Sequence, residues 1–134
     1  TADLALLPFA RAQPRLREAL ESKNPRVRFW AVTACSCLGM TAKSLATDIK
    51  PLLQDPDDMV RVRAAEFLGI AKQHDPGPTL LAVLARTDSN AAAAMTMNTL
   101  VFLRDHHGYT FKIDATKIKS REPLVQRRLE YLAK

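Results

Sequence analysis

Apolar residues recur at helical spacing in two stretches of the chain. Val27, Ala31, Ala34, Cys35 and Leu38 form the first set, and Val60, Ala64, Phe67, Leu68 and Ala71 form the second, 33 residues later. Steps of i, i+4, i+7, i+8 and i+11 line one face of an α-helix. A further shift of 33 gives Ala93, Met97, Leu100 and Val101, then meets Arg104. Shorter apolar groups precede each set: Leu16, Ala19 and Leu20, then Ile49, Leu52 and Leu53, then Leu80, Val83 and Leu84. The last group lies 31 residues after its predecessor rather than 33, which predicts a third inter-helix loop about two residues longer.

The punctuation agrees with helix pairs. Asn24-Pro25 and Asp55-Pro56 stand before the second helix of each pair, where Asn or Asp caps free N–H groups and Pro suits the first turn. Asp88, Ser89 and Asn90 are the cap candidates in the third copy, and Asp57 and Asp58 place negative charge at a helix N-terminus. Gly39 and Gly69 fall near helix C-terminal ends, and Pro76-Gly77-Pro78 separates the second and third pairs. One such pair cannot bury its apolar face alone, but a stack of pairs does.

The segment from Ile49 to Gly69, with Pro51, Asp55-Pro56 and Val60-Arg61, resembles the HEAT repeat along its whole length. The resemblance is fuller in the second unit than in the first, and thinnest in the third, where Ala93-Ala94 replaces Val-Arg. It implies an all-α, right-handed α-solenoid of about three helix pairs, over residues 14–40, 44–73 and 77–105, with a C-terminal extension at 106–134. Within that extension, Tyr109-Thr110-Phe111-Lys112-Ile113 alternates as a short strand does, and Glu122 to Ala133 forms a closing helix whose Leu124, Val125, Leu129 and Leu132 pack back on the stack.

A second resemblance lies in Asn98-Thr99-Leu100-Val101-Phe102-Leu103-Arg104-Asp105-His106-His107-Gly108-Tyr109. Following such repeats, it looks like the HEAT-like tail behind the catalytic domain of some bacterial sulfatases. That implies a parent sulfuric ester hydrolase, periplasmic or extracellular, with this chain as an accessory region. The opening on Thr1 and the apolar residues Leu4, Leu6, Leu7 and Phe9 around Pro8 also suggest a piece of a longer protein. The family's formylglycine motif, Cys or Ser-x-Pro-x-Arg, is missing: Cys35-Ser36-Cys37-Leu38-Gly39 and Cys37-Leu38-Gly39-Met40-Thr41 both lack the Pro and Arg. No catalytic, cofactor-binding or metal site is therefore expected in this chain.

Composition narrows the classes further. A net charge of +6 raises nucleic acid and other polyanions as partners. Between Lys112 and Lys134, seven cations against three acids leave +4. No stretch of 18 apolar residues exists, so no membrane partner is expected. Cys35 and Cys37 have one residue between them, not the two of common zinc and thioredoxin motifs, and point about 200° apart on a helix. Asp105, His106 and His107 lack the further ligands that zinc needs and read as a polar loop closing the third pair. The candidate interaction residues are Arg28, Arg61, Arg63, Lys117, Lys119, Arg121, Arg127 and Arg128. Arg28 and Arg61 also read as ties between adjacent units, through acidic turn residues such as Asp55 or Asp57.

The expected function is a non-catalytic accessory module that packs its concave face against another domain of the same chain or a protein partner. The alternatives are a free-standing protein-binding scaffold and a basic HEAT-like binder of nucleic acid, similar in kind to the alkylpurine DNA glycosylases of this fold. No aromatic-plus-acid pocket around the single Trp30 supports the glycosylase likeness. Sulfated polyanions are a further possible ligand class.

Overall fold

The computed structural model describes residues 8–134; Leu4, Leu6 and Leu7 of the opening apolar stretch lie outside them. The fold is all-α. Helix α1 spans Phe9–Leu20 and α2 spans Pro25–Leu38. The short α3, Ala46–Ile49, lies between 3-10 turns at Gly39–Leu45 and Lys50–Gln54. Helices α4 (Asp58–Ile70), α5 (Gly77–Arg86) and α6 (Asn90–His107) follow, then a 3-10 turn at Ala115–Lys117 and α7 (Pro123–Ala133).

The second helix of each pair packs on the next: α2 on α4, α4 on α6, and α6 on α7. Helix α1 and the 39–54 segment pack on each other and on this row, and α5 packs on α4 and α6. Helix α4 has a neighbour on each side, and it is buried nearly all round. Val62 and Ala65 are as buried as the expected Val60, Ala64, Phe67 and Leu68. Phe67 is wholly buried, and a side chain of its size contributes about 1.5–3 kcal/mol in doing so. In α2 the expected Ala31, Ala34 and Cys35 are buried, whereas Val27 and Leu38 are only partly so.

A turn recurs four times along the chain. The second helices have Asn24, Asp57, Ser89 and Glu122 as N-caps, spaced 33, 32 and 33 residues. Two residues earlier, the side-chain oxygens of Ser22, Asp55, Thr87 and Ser120 accept the N-cap backbone N–H at 3.2, 2.9, 3.1 and 3.3 Å. Four residues after the cap, a long side chain turns back to the carbonyl that begins the turn. Arg28 donates to Ser22 O, Arg61 to Asp55 O and Gln126 to Ser120 O. Ala93 holds that position in the third unit and has nothing to donate. Helix α7 thus follows a fourth turn in register with the others, and it packs on α6 as the closing helix expected there. Counting each turn and its helix as one unit, the turn at Ala115–Lys117 stands where the fourth unit's first helix would be.

Several expectations need correction. Asp55 does not cap α4; Asp57 does, by accepting Met59 N–H at 2.8 Å and Val60 N–H at 3.2 Å. The third inter-helix loop is not longer, because α5 continues past Leu84 to Arg86 and takes up the slip. Gly69 is next to last in α4, near its C-terminal end as expected, and its missing side chain admits Pro76: an added Cβ would stand 3.0 Å from the ring. The left-handed residue beyond α4 is Lys72, with a φ of 56°, and its ammonium bonds His107 O at 2.8 Å. Residues 109–113 form no strand; they run unpaired, with Tyr109, Phe111 and Ile113 packed on the core and Thr110 and Lys112 outward. Asp105, His106 and His107 are the last turn of α6 rather than a loop, and Gly108 ends that helix at a φ of 74°.

Candidate interaction face

The eight candidate cations do not form one surface. Arg28 is 14% exposed and grips Asp55, which is 3% exposed, with Nε to Oδ2 at 2.7 Å and Nη2 to Oδ1 at 3.0 Å. This two-pronged geometry, together with the bond to Ser22 O, orders the first two units. The carboxylate raises the Arg28 pKa further, against the opposing effect of burial. Arg61 is held by Asp55 O. Both arginines are therefore engaged within turns.

Lys117, Lys119, Arg121, Arg127 and Arg128 are exposed. Lys119 reaches Asp88 at 3.3 Å, and Arg128 Nε reaches Asn98 Oδ1 at 3.3 Å. Arg128 thereby joins the outer edge of the helix row, while Lys117 lies beside α5 at a separate cleft with Leu81 and Ile113.

Arg63 stands apart from the other seven. Its guanidinium lies over the Phe29 ring, 5.4 Å from the centroid. Its Nη1 donates to Glu66 at 2.8 Å, and Thr99 donates to the same Glu66 oxygen at 3.2 Å. Phe29 in turn meets Trp30 edge-on at 5.1 Å. A chain of side-chain contacts thus crosses α2, α4 and α6 on one face, and Arg128 extends it to α7.

Two clefts open on this face. Pro25, Arg26, Phe29, Trp30, Asp57 and Met59 line about 370 Å³ at the α2–α4 end. Arg63, Glu66, Met95, Asn98, Thr99 and Phe102 line about 320 Å³ between α4 and α6. Trp30 is 48% exposed and Phe102 38%, although large apolar side chains are ordinarily covered. Nothing in the sequence marks Phe29, Met59 or Phe102 as surface groups. Met95 alone of the missed residues carries a signal, the position six residues after each N-cap, which reads Trp30, Arg63, Met95 and Arg128.

Other polar groups serve the fold. The Cys35 thiol is buried, and burial first, then nearby Asp48, pushes its pKa up to about 12. Cys37 is free and exposed. Tyr109 donates to Gly69 O at 2.7 Å, and burial followed by Asp75 raises its pKa. His106 and His107 both pack against Phe102, at 5.3 and 5.2 Å between ring centres. Among the described residues, no three His, Cys, Asp or Glu side chains are grouped to hold a metal, and no helix is long and apolar enough to cross a membrane.

No family model, curated protein or solved structure matches this chain.

Proposed function

We propose that this chain is a non-catalytic, HEAT-like repeat module that docks a protein partner, or another domain of its own polypeptide, along the outer edge of the α2–α4–α6–α7 row. The turn that recurs at residues 22, 55, 87 and 120 supports the repeat reading, since each unit contacts its neighbours in chain order, as solenoid units do. The observation that carries the docking reading is exposed apolar bulk on that edge, Trp30 and Phe102, beside the part-buried Phe29, Met59 and Met95. Exposed apolar groups gathered along one face mark interaction sites.

Site-specific photocrosslinking tests this. A benzophenone side chain at position 30 or 102, in the native polypeptide containing this segment, is expected to give discrete products. The same probe at Arg11, on the outer side of α1, is expected to give none. Equal yields at all three positions would refute docking at this face.

A second reading draws on the exposed Lys117, Lys119, Arg121, Arg127 and Arg128: a polyanion-binding edge for nucleic acid or sulfated sugars. Oligonucleotide affinity that falls steeply with salt would favour it. The sulfatase resemblance rests on residues 98–109 in their place after the repeats; they form the end of α6, its cap Gly108 and Tyr109 beyond it.

A further inference from the structure

Resting on that docking reading, we propose that the face takes an extended peptide segment in which apolar and acidic residues alternate at every third position. The residue six positions after each N-cap is Trp30 on α2, Arg63 on α4, Met95 on α6 and Arg128 on α7. The face therefore presents apolar, cationic, apolar and cationic groups on four successive helices. Neighbouring packed helices lie about 9 Å apart, and an extended chain advances about 3.3 Å per residue. A strand-like segment laid across the row meets a new helix roughly every three residues, and about ten residues span all four.

The cations on the face are only partly offset. Two acids line its clefts, and both are already engaged: Asp57 caps α4, and Glu66 is 8% exposed and held by Arg63 and Thr99. Arg63 gives Glu66 only Nη1. Its Nε is buried with no acceptor, and 24% of the side chain remains open to solvent. Arg128 has a single neutral partner, Asn98. Arg26, exposed beside Trp30, adds a further cation at the α2 end. A carboxylate opposite Arg63 or Arg128 gains a charge-assisted bond, whereas an ammonium there meets like charge. The apolar steps fall on Trp30 and on Met95 beside Phe102, in the two clefts.

The probe is a fluorescein-labelled dodecapeptide with leucine and glutamate alternating at every third position in a serine–glycine background. The 134-residue chain has one tryptophan, so Trp30 emission reports occupancy of the face alongside probe anisotropy. The glutamate peptide is expected to bind about tenfold more tightly than its glutamine counterpart, the ratio that one charge-assisted pair supplies, with no binding by the lysine version. Arg128→Gln, at an exposed position, is expected to reduce that preference, and Arg63→Gln, checked for folding by circular dichroism, to reduce it further. Trp30→Ser is expected to weaken the glutamate and glutamine peptides alike.

Equal binding of the glutamate and glutamine peptides, accompanied by a Trp30 response, would overturn the acidic specificity and leave the docking reading intact. Equal binding of a composition-matched peptide with scrambled spacing would overturn the register. Silence of Trp30 with every peptide would overturn both the specificity and the docking face. An oligothymidylate that displaces the glutamate peptide and binds more tightly would assign the face to nucleic acid instead.

Discussion

Asp55 joins two units and a turn, so its removal should cost far more than the loss of a surface ion pair. Its side chain is 3% exposed; it accepts two bonds from Arg28 and one from Asp57 N–H. Asp55→Ala leaves the Arg28 guanidinium buried without its carboxylate. Breaking a buried pair costs about 3–5 kcal/mol. Arg28 keeps Ser22 O and some solvent, so the low end applies, and the lost turn bond adds about 1 kcal/mol. A total of about 4 kcal/mol lowers Tm by roughly 12 °C at about 3 °C per kcal/mol for this chain length. Asp55→Asn keeps a single oxygen, which still accepts from Asp57 N–H and Arg28 Nη2, but its NH2 faces Arg28 Nε where Oδ2 accepted, so about 2 kcal/mol is expected. Asp88→Ala, which removes the exposed partner of Lys119, should leave the midpoint unchanged. Urea unfolding followed by circular dichroism at 222 nm gives the three values. An Asp55→Ala midpoint matching that of Asp88→Ala, or an Asp55→Asn loss as large as that of Asp55→Ala, would refute the reasoning.

Tyr109→Phe strips Gly69 O of its 2.7 Å partner and should destabilise by about 1 kcal/mol in the same assay; no loss would mean that water replaces the hydroxyl. At pH 8, Ellman's reagent should react promptly with one thiol, exposed Cys37, and with Cys35 only on unfolding; two fast thiols would contradict burial of Cys35. His107 is pushed below its usual pKa of 6.5 by burial first, then by Lys72 and His106. The unfolded chain therefore takes up this proton first as pH falls. The contribution of His107 to stability is full above 6.5 and is lost on acidification through that region. An NMR midpoint at or above 6.5 for the folded imidazole would show that the environment does not disfavour its charge. Helix α7 buries only Val125 completely, so its amides should exchange before those of α4; the reverse order would mean that the fourth unit is not the looser end.

The helix pairs were legible because their apolar faces and caps are local. Period 3.6 placed Val60, Ala64, Phe67 and Leu68, and Asn24-Pro25 placed the start of α2. The double-sided burial of α4 was not legible, since Val62 and Ala65 become core only through neighbours far away in the chain. The fourth unit was hidden because its first helix is reduced to the turn at 115–117, leaving no apolar pair to compare. Its trace is small and polar: Ser22, Asp55, Thr87 and Ser120 share a turn role that three residue types fill equally well. The face was hidden for a related reason. Trp30, Arg63, Met95 and Arg128 alternate between apolar and cationic, share no single residue type, and align only when counted from the helix caps.

The links between successive members of the α2–α4–α6–α7 row change character along the chain, and this ties the face to stability. Units one and two are joined by the shielded Arg28–Asp55 pair. Units three and four are joined by exposed contacts, the Arg128 bond to Asn98 and the Lys119–Asp88 ion pair, the latter weakened by salt. Between units two and three, the Arg86–Asp58 pair is partly exposed, and the better-covered link is Arg63 to Glu66 to Thr99. That link also forms the wall of the 320 Å³ cleft. A ligand that engages Arg63 therefore acts on a join between units as well as on a surface. Occupancy should stiffen α4 against α6, because the guanidinium held by the ligand is the one that orients Glu66 toward Thr99.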